Sequence, residues 1–216
     1  MPNLIPYSRR TGKIVGMSLA LSLIVGMFAG STAALAVNPQ DNVRGFYDTL
    51  LATMRNGPAL GQIGRYARLA PVVDRVFDVS SMTRLAIGPT WATLSPARQQ
   101  QLIDAFRHYV ATTYADRFDS YSGQQLQVTG ERPYSADVNV QTKIVKSDGD
   151  TTTIDYLMHQ NEGSWQIFDV YLDGTISQLA IQRSEFHSIL RREGVDGLVA
   201  LNRKVDLLGK GEAKSS

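Results

Sequence analysis

The sequence contains no cysteine, which excludes disulfide bonds, thiol catalysis and cysteine-ligated metal sites. It contains only three histidines, His108, His159 and His187, which stand far apart and without the paired spacing of metal ligands. The motifs of serine hydrolases, phosphate-binding loops, dinucleotide-binding folds and zinc proteases are also missing. These absences predict a protein without catalytic residues, bound metal or cofactor.

Long apolar runs are scarce too, and the single one lies near the N-terminus, at residues 14–29. Three basic residues precede it: Arg9, Arg10 and Lys13. Alanines follow it at positions 34 and 36, in the pattern of a cleavage site. A membrane anchor is the alternative interpretation, but a spanning helix needs about 20 apolar residues. We therefore predict a secretory signal peptide over residues 1–36, cleaved near Ala36.

The chain also lacks an excess of charge of either sign. It has 22 lysines and arginines against 20 aspartates and glutamates. Cleavage of the predicted signal would remove three basic residues and no acidic one, which leaves 19 basic and 20 acidic residues. A nearly neutral protein of this kind is not expected to bind nucleic acid. Export, together with the lack of cysteine, indicates the bacterial periplasm as the location.

Residues 38–122 have the apolar spacing of helices. Asn38 and Pro39 suit a helix start, as cap and first helical residue. Four helices are expected, over residues 39–56, 59–76, 78–88 and 95–118. The second is expected to break at Pro71 because proline cannot continue the helical hydrogen bonds.

Residues 124–173 change to a period of two, with four short alternating segments and hairpin-turn compositions between them. Helical spacing returns over residues 176–193, and Gly194 separates this helix from a last one that ends at Leu208. This order predicts an α+β fold, in which N- and C-terminal helices cover a curved antiparallel sheet of about four strands and form an NTF2-like cone with an apolar cavity.

The predicted boundaries follow from these patterns. The signal peptide covers residues 1–36, a single α+β domain covers residues 37–208, and a small polar tail at residues 209–216 is expected to be disordered.

The inward stripes of the longest helix and of the sheet are rich in aromatic and aliphatic side chains. Nine of them are predicted to line the interior and, if the interior is hollow, to bind an apolar ligand. They are Phe106, Tyr109, Val110, Tyr114, Ile144, Ile154, Tyr156, Phe168 and Val170. Periodicity does not distinguish a filled core from a cone-shaped apolar cavity, so both interpretations stay open.

An enzyme is the first alternative. Helices on a curved antiparallel sheet also describe NTF2-like folds, some of which use a strand aspartate and tyrosine as acid and base on a small apolar substrate. Four such residues lie on adjacent predicted strands: Asp155, Tyr156, Asp169 and Tyr171. By alternation, the two aspartates share the face opposite Tyr156, so the acid and base would not point into the same cavity. A periplasmic adaptor with a filled core and no ligand is the second alternative.

Several segments, taken in order, resemble the MlaC-like, toluene-tolerance family of periplasmic phospholipid-binding proteins over essentially all of residues 38–208. They are residues 77–82, 91–95, 113–115, 165–170, 173–174 and 183–186, followed by Gly194 and Lys204. The sequence departs from the family at residues 175–178 and at Gln182, where the family commonly has an apolar run and a tyrosine. In this it looks more like the hopanoid-associated, HpnM-like branch.

The resemblance implies a non-enzymatic, soluble carrier that holds the apolar part of a phospholipid or hopanoid in a cavity. It further implies partners in both envelope membranes, an inner-membrane ABC-type transporter complex and an outer-membrane lipoprotein complex, between which the carrier shuttles lipid. We expect such a carrier to be a monomer.

Arg183 lies on the apolar stripe of its own helix, four residues after Leu179 and three before Phe186. Two roles stay open for it. In the structural role, its stem packs while the guanidinium reaches the surface or pairs with an acid such as Asp169. In the functional role, it lies at the cavity mouth and contacts a lipid headgroup or a partner protein.

Overall fold

A computed structural model describes the backbone of residues 38–209 and the side chains of residues 38–198. The predicted signal peptide at residues 1–36 and the tail residues 210–216 lie outside the described residues.

Helices form where the apolar spacing predicts them. Their bounds are Pro39–Arg55 for α1, Gly57–Val76 for α2, Val79–Ile87 for α3 and Pro96–Arg117 for α4, with a 3-10 helix at Gly88–Thr93. The side chains of Asn38, Asp78 and Ser95 cap α1, α3 and α4 by accepting a hydrogen bond from a backbone N–H two or three residues further on. These caps satisfy donors that the first helical turn leaves unpaired.

The kink of α2 lies at Gly61 and not at Pro71, where the sequence predicts the break. Gly61 has φ 60° and ψ −179°, a conformation that is open to glycine and strained for other residues. Pro71 lies within the continuous second half of the helix. The glycine therefore turns the chain one turn after the start of α2, before the buried residues Leu69 and Val73 pack into the core.

The strands form one antiparallel sheet in chain order, β1-β2-β3-β4-β5. Their bounds are Gln125–Tyr134, Asp137–Val145, Thr151–Asn161, Ser164–Leu172 and Ile176–Ser177. Four strands match the alternating segments, and the two-residue β5 is an addition at the edge. Ile176, the first residue of the helix predicted over residues 176–193, lies in β5 instead and is 48% exposed.

The last helix, α5, spans Gln178–Gly209 and is broken at Gly194, where φ is 66° and ψ is −164°. Its first turn is attached to the sheet by the Asp169 carboxylate, which accepts hydrogen bonds from the Leu179 N–H and the Ser177 hydroxyl. Burial raises the pKa of Asp169, although these hydrogen bonds act in the opposite direction. The helix ends at Gly209, the first residue of the predicted tail.

The helices pack on one face of the sheet and share a single core cluster with it. Phe46 from α1 and Tyr156 from β3 are fully buried there, with ring centroids 6.4 Å apart in an edge-to-face arrangement. The register pairs Asp155 with Tyr171, and Tyr156 with Val170, so Asp155 and Tyr171 occupy the opposite face. Among the described helices, none combines the length and the apolar character that a bilayer crossing requires.

Candidate functional site

A cavity of about 500 Å³ lies between α4, α5 and the inward face of β3 and β4. Its size falls within the roughly 300–1,000 Å³ of small-molecule sites. Much of its wall is aromatic or aliphatic. The lining residues are Phe77, Met82, Phe106, Tyr109, Val110, Thr113, Tyr114, Arg117, Phe118, Thr152, Ile154, Val170, Leu172, Gln178, Leu179, Ile181, Gln182 and Glu185.

Helix α4 supplies one continuous stripe of this wall. Its lining residues begin at Phe106 and recur three or four positions apart as far as Arg117, which places them on one side of the helix. The sheet supplies the facing wall through Ile154 on β3 and Val170 on β4. The cavity therefore occupies the space between two amphipathic layers, so this part of the interior is not completely filled by side chains.

Six of the nine predicted interior residues lie on the cavity wall. They are Phe106, Tyr109, Val110, Tyr114, Ile154 and Val170. Ile144 lies one strand further away, where it pairs with Thr152 and packs half-buried against the core. Tyr156 is fully buried among other core side chains, so at this position the filled-core interpretation holds.

Phe168 lies on the opposite face of the sheet from the one that alternation predicts. A bulge in β4 pairs Asp169 with Leu157 and Ile167 with Met158, so that Phe168 is an extra residue without a partner. Ile167 takes the inward position and is fully buried. Phe168 instead packs on the ring of His159, with centroids 4.8 Å apart.

Three tyrosines, Tyr47, Tyr114 and Tyr156, lie close together, and Tyr114 is the one that lines the cavity. Burial raises the pKa of Tyr47 to about 12 and raises the pKa of the other two phenols as well. The Tyr47 hydroxyl donates to Thr142, whose own hydroxyl donates to the backbone carbonyl of Ile154. All three phenols are therefore neutral at physiological pH, and Tyr114 adds no charge to the cavity wall.

The mouth of the cavity lies where α4 ends and α5 begins. Arg117, Ile181 and Glu185 line the cavity there and are exposed to solvent. Arg117 forms no ion pair within the described part of the chain. An exposed, unpaired guanidinium at an apolar mouth provides a binding point for an anionic group.

Two polar residues of the wall, Tyr109 and Gln182, are joined by a hydrogen bond. The Gln182 side-chain amide donates to the Tyr109 hydroxyl over 2.7 Å and so links α5 to α4. Gln182 was not among the predicted site residues, because a glutamine on an amphipathic helix usually faces solvent. The available signal was its position four residues after Gln178 and four before Phe186 on one helix face.

Arg183 is exposed and does not line the cavity. Its guanidinium lies near Gly88, where a Cβ atom added to the glycine would be 3.9 Å from the arginine Nε. Asp169, the suggested partner, is engaged by Ser177, Leu179 and Val170 instead. The surface-reaching version of the structural role fits this position.

The described residues provide no metal-binding cluster and no pair of catalytic acid and base at the cavity. No cluster of His, Asp or Glu that could hold a metal ion occurs in the described part of the chain. Asp155 and Asp169, the acids of the enzyme alternative, are on the sheet face turned away from Tyr156 and the cavity.

The α+β fold encloses a ligand-sized, largely apolar cavity between its helices and its antiparallel sheet. This is the architecture of a protein that binds a small apolar molecule. The sequence matches the MlaC protein family over residues 44–203, and the chain belongs to that family. Its fold is similar to that of a solved phospholipid-binding protein from Ralstonia solanacearum, which was determined in complex with a phospholipid. The two share 25% sequence identity with a TM-score of 0.66, and the match covers 82% of this chain and 100% of the other.

Proposed function

We propose that the protein is a lipid carrier that encloses the apolar part of a phospholipid in the cavity between α4, α5 and the sheet. The observation that carries the proposal is the apolar, ligand-sized cavity in a chain of the MlaC family. The Ralstonia relative, which was solved with a phospholipid, supports the same ligand class.

The physical requirement on such a carrier is an interior about as apolar as a bilayer. Each methylene transferred from water to an apolar wall contributes about 0.8 kcal/mol, and a lipid leaves a membrane only if the carrier returns a similar amount. The wall satisfies this requirement with side chains such as Phe106, Val110 and Ile154. At the mouth, Arg117 is positioned to bind the lipid phosphate, which would hold the headgroup at the surface.

The finer parts of the proposal rest on the sequence. Residues 1–36 are proposed to direct export to the periplasm, where the single domain at 37–208 would act as a monomer. The cargo would be shuttled between an inner-membrane ABC-type complex and an outer-membrane lipoprotein complex. The departures at residues 175–178 and at Gln182 favour the HpnM-like branch, with a hopanoid as the alternative cargo.

The test is mass spectrometry of the intact protein purified from the periplasm of the expressing cell, followed by solvent extraction. A carrier is expected to retain one lipid in stoichiometric amount and, after delipidation, to take up phospholipid from vesicles. Arg117→Gln is expected to keep the fold and weaken uptake of phospholipid. Protein that is repeatedly lipid-free and takes up no added phospholipid or hopanoid would overturn the proposal.

A further inference from the structure

The first part of α5 forms one side of the cavity and has a glycine hinge position at each end. Gly174 lies in the turn before β5 with φ 68°, and Gly194 breaks the helix with φ 66°. The segment at residues 178–193, between the sheet and the break, supplies five residues to the cavity lining. Because glycine readily adopts a positive φ and absorbs changes of backbone angle, these two positions allow the segment to move relative to α4.

A single side-chain hydrogen bond joins residues 178–193 to α4 within the described part of the chain. The amide nitrogen of Gln182, Nε2, donates to the Tyr109 hydroxyl over 2.7 Å. The contact one turn further along is apolar, an edge-to-face pair of Phe106 and Phe186 with ring centroids 5.6 Å apart. The Gln182–Tyr109 bond is therefore the specific polar link that holds this side of the cavity closed.

The Gln182 amide is only half satisfied in the closed arrangement. Its oxygen, Oε1, is shielded from solvent and accepts no hydrogen bond from the described residues. Turning the amide over would let the Tyr109 hydroxyl donate to the oxygen, but the nitrogen would then occupy the shielded position without an acceptor. In either orientation one polar end stays unpaired, which destabilises the closed arrangement.

Movement of α5 away from α4 would remove this penalty, because water would then satisfy both ends of the amide. The hydrogen bond thus favours closure, while the unpaired end of the same side chain limits how strongly closure is favoured. We propose that Tyr109 and Gln182 form a latch, a hydrogen bond that keeps α5 closed over the bound lipid and sets the rate at which lipid enters and leaves. The proposal rests on the carrier function proposed above and adds the control of lipid exchange.

The test compares Tyr109→Phe with the double variant Tyr109→Phe/Gln182→Leu. The single change leaves the Gln182 amide in the closed state without any partner, so opening is favoured and lipid exchange is expected to be about tenfold faster. The double change replaces both polar groups by apolar ones of similar size, which removes the bond and the unpaired end together. Exchange by the double variant is expected to return to the wild-type rate or below it.

Exchange is measured in both directions with a fluorescent phospholipid. Release is followed from loaded protein to acceptor vesicles, and uptake from donor vesicles to delipidated protein. Because opening precedes both steps, the latch changes their rates by the same factor, and the affinity should stay within about twofold of the wild-type value. An unchanged release rate in Tyr109→Phe overturns the latch. So does a loss of affinity equal to the change in release, because that result identifies a direct contact with the lipid.

A second measurement detects opening without any lipid. Since the sequence contains no cysteine, Val110→Cys introduces a single thiol on the cavity wall, at a position that is only 7% exposed. Labelling of this thiol by a bulky maleimide is expected to be about tenfold faster when Tyr109→Phe is added. Further addition of Gln182→Leu is expected to restore the slower rate.

The matched control is Tyr121→Phe, which changes an exposed tyrosine outside the cavity wall and should alter neither exchange nor labelling. Equal labelling rates with and without Tyr109→Phe overturn the latch. A protein that shows the expected labelling but takes up no phospholipid supports the movement of α5 and overturns the carrier function instead.

Discussion

Val170 and Val140 are the same residue type on one face of the sheet, but they have different surroundings. Both lie in register with Tyr156, on the strands to either side of it. Val170 lines the cavity, whereas Val140 is fully buried in the filled core. A substitution at Val170 should therefore change ligand binding, whereas the same substitution at Val140 should change the stability of the fold.

Val170→Arg is therefore expected to fold and to lose bound lipid. The arginine stem can follow the cavity wall while its guanidinium reaches the mouth, which limits the destabilisation to about 2 kcal/mol or less. Val140→Arg places the same charge where no water or partner is available, and we expect it to lower stability by several kcal/mol or prevent folding. Thermal denaturation and lipid extraction of both variants check this. Similar melting temperatures for the two would contradict the assignment of the cavity.

The environment of the Asp78 carboxyl should make the stability of the protein depend on pH. Burial raises the pKa of its carboxyl, but hydrogen bonds from Ser81 and His159 outweigh burial and hold the pKa below its ordinary value. A carboxyl whose folded-state pKa is lowered stabilises the protein above its ordinary pKa and loses that contribution as pH falls through the folded-state value.

The expected result is a fall in the free energy of unfolding below about pH 4, part of which comes from Asp78. In Asp78→Asn this part should disappear, so that the decline becomes shallower while the side chain still caps α3. Urea denaturation at a series of pH values measures the slope. An identical slope in the variant would exclude Asp78 as a contributor.

At the scale of elements, the corner between α1 and α2 depends on a close approach of two backbones. A Cβ atom at Gly57 would lie 1.8 Å from the carbonyl oxygen of Asp119, just after α4, so one of the two segments would have to move. The same corner is held by the buried Arg65, which donates to the carbonyls of Gly57 and Ala115. The end of α4 is thereby fixed relative to the first two helices.

Gly57→Ala is expected to lower the free energy of unfolding by about 1–3 kcal/mol, the usual cost of overpacking. Gly45→Ala is the matched control, because it lies in the exposed interior of α1 with no atom within 4 Å of an added Cβ. That change should raise stability by about 0.5–1 kcal/mol, since alanine favours the helix. Chemical denaturation compares the two, and a neutral Gly57→Ala would show that the corner can relax.

The sequence predicts most elements but not the irregularities inside them. The helix starts at Pro39 and Pro96 and the α5 break at Gly194 follow from local signals, namely a cap, a proline or a glycine. The β4 bulge leaves no such signal, because Ile167 and Phe168 are both apolar and either could face inward. The polar wall at Gln182 and the mouth at Arg117 were missed because they depend on how α5 packs against α4.

At the scale of the whole molecule, an enclosed ligand should stabilise the fold. A lipid that binds only the folded protein adds about 2.7 kcal/mol at a free concentration of 100 Kd. For a protein of this size, that corresponds to a rise in melting temperature of roughly 5–10 °C. Calorimetry of delipidated protein with and without phospholipid measures the rise. Val170→Arg should show little of it, and an unchanged wild-type melting temperature would argue against binding in the interior.

The bulge at Phe168 has a consequence for how the chain tolerates a change of length. Removing Phe168 would leave Ile167 and Asp169 adjacent and still paired with Met158 and Leu157, so the ladder would become regular without moving any other side chain to the wrong face. Removing Val170 would instead reverse the facing of the residues beside it. A one-residue deletion at Phe168 is therefore expected to yield folded protein, and a deletion two positions later is not.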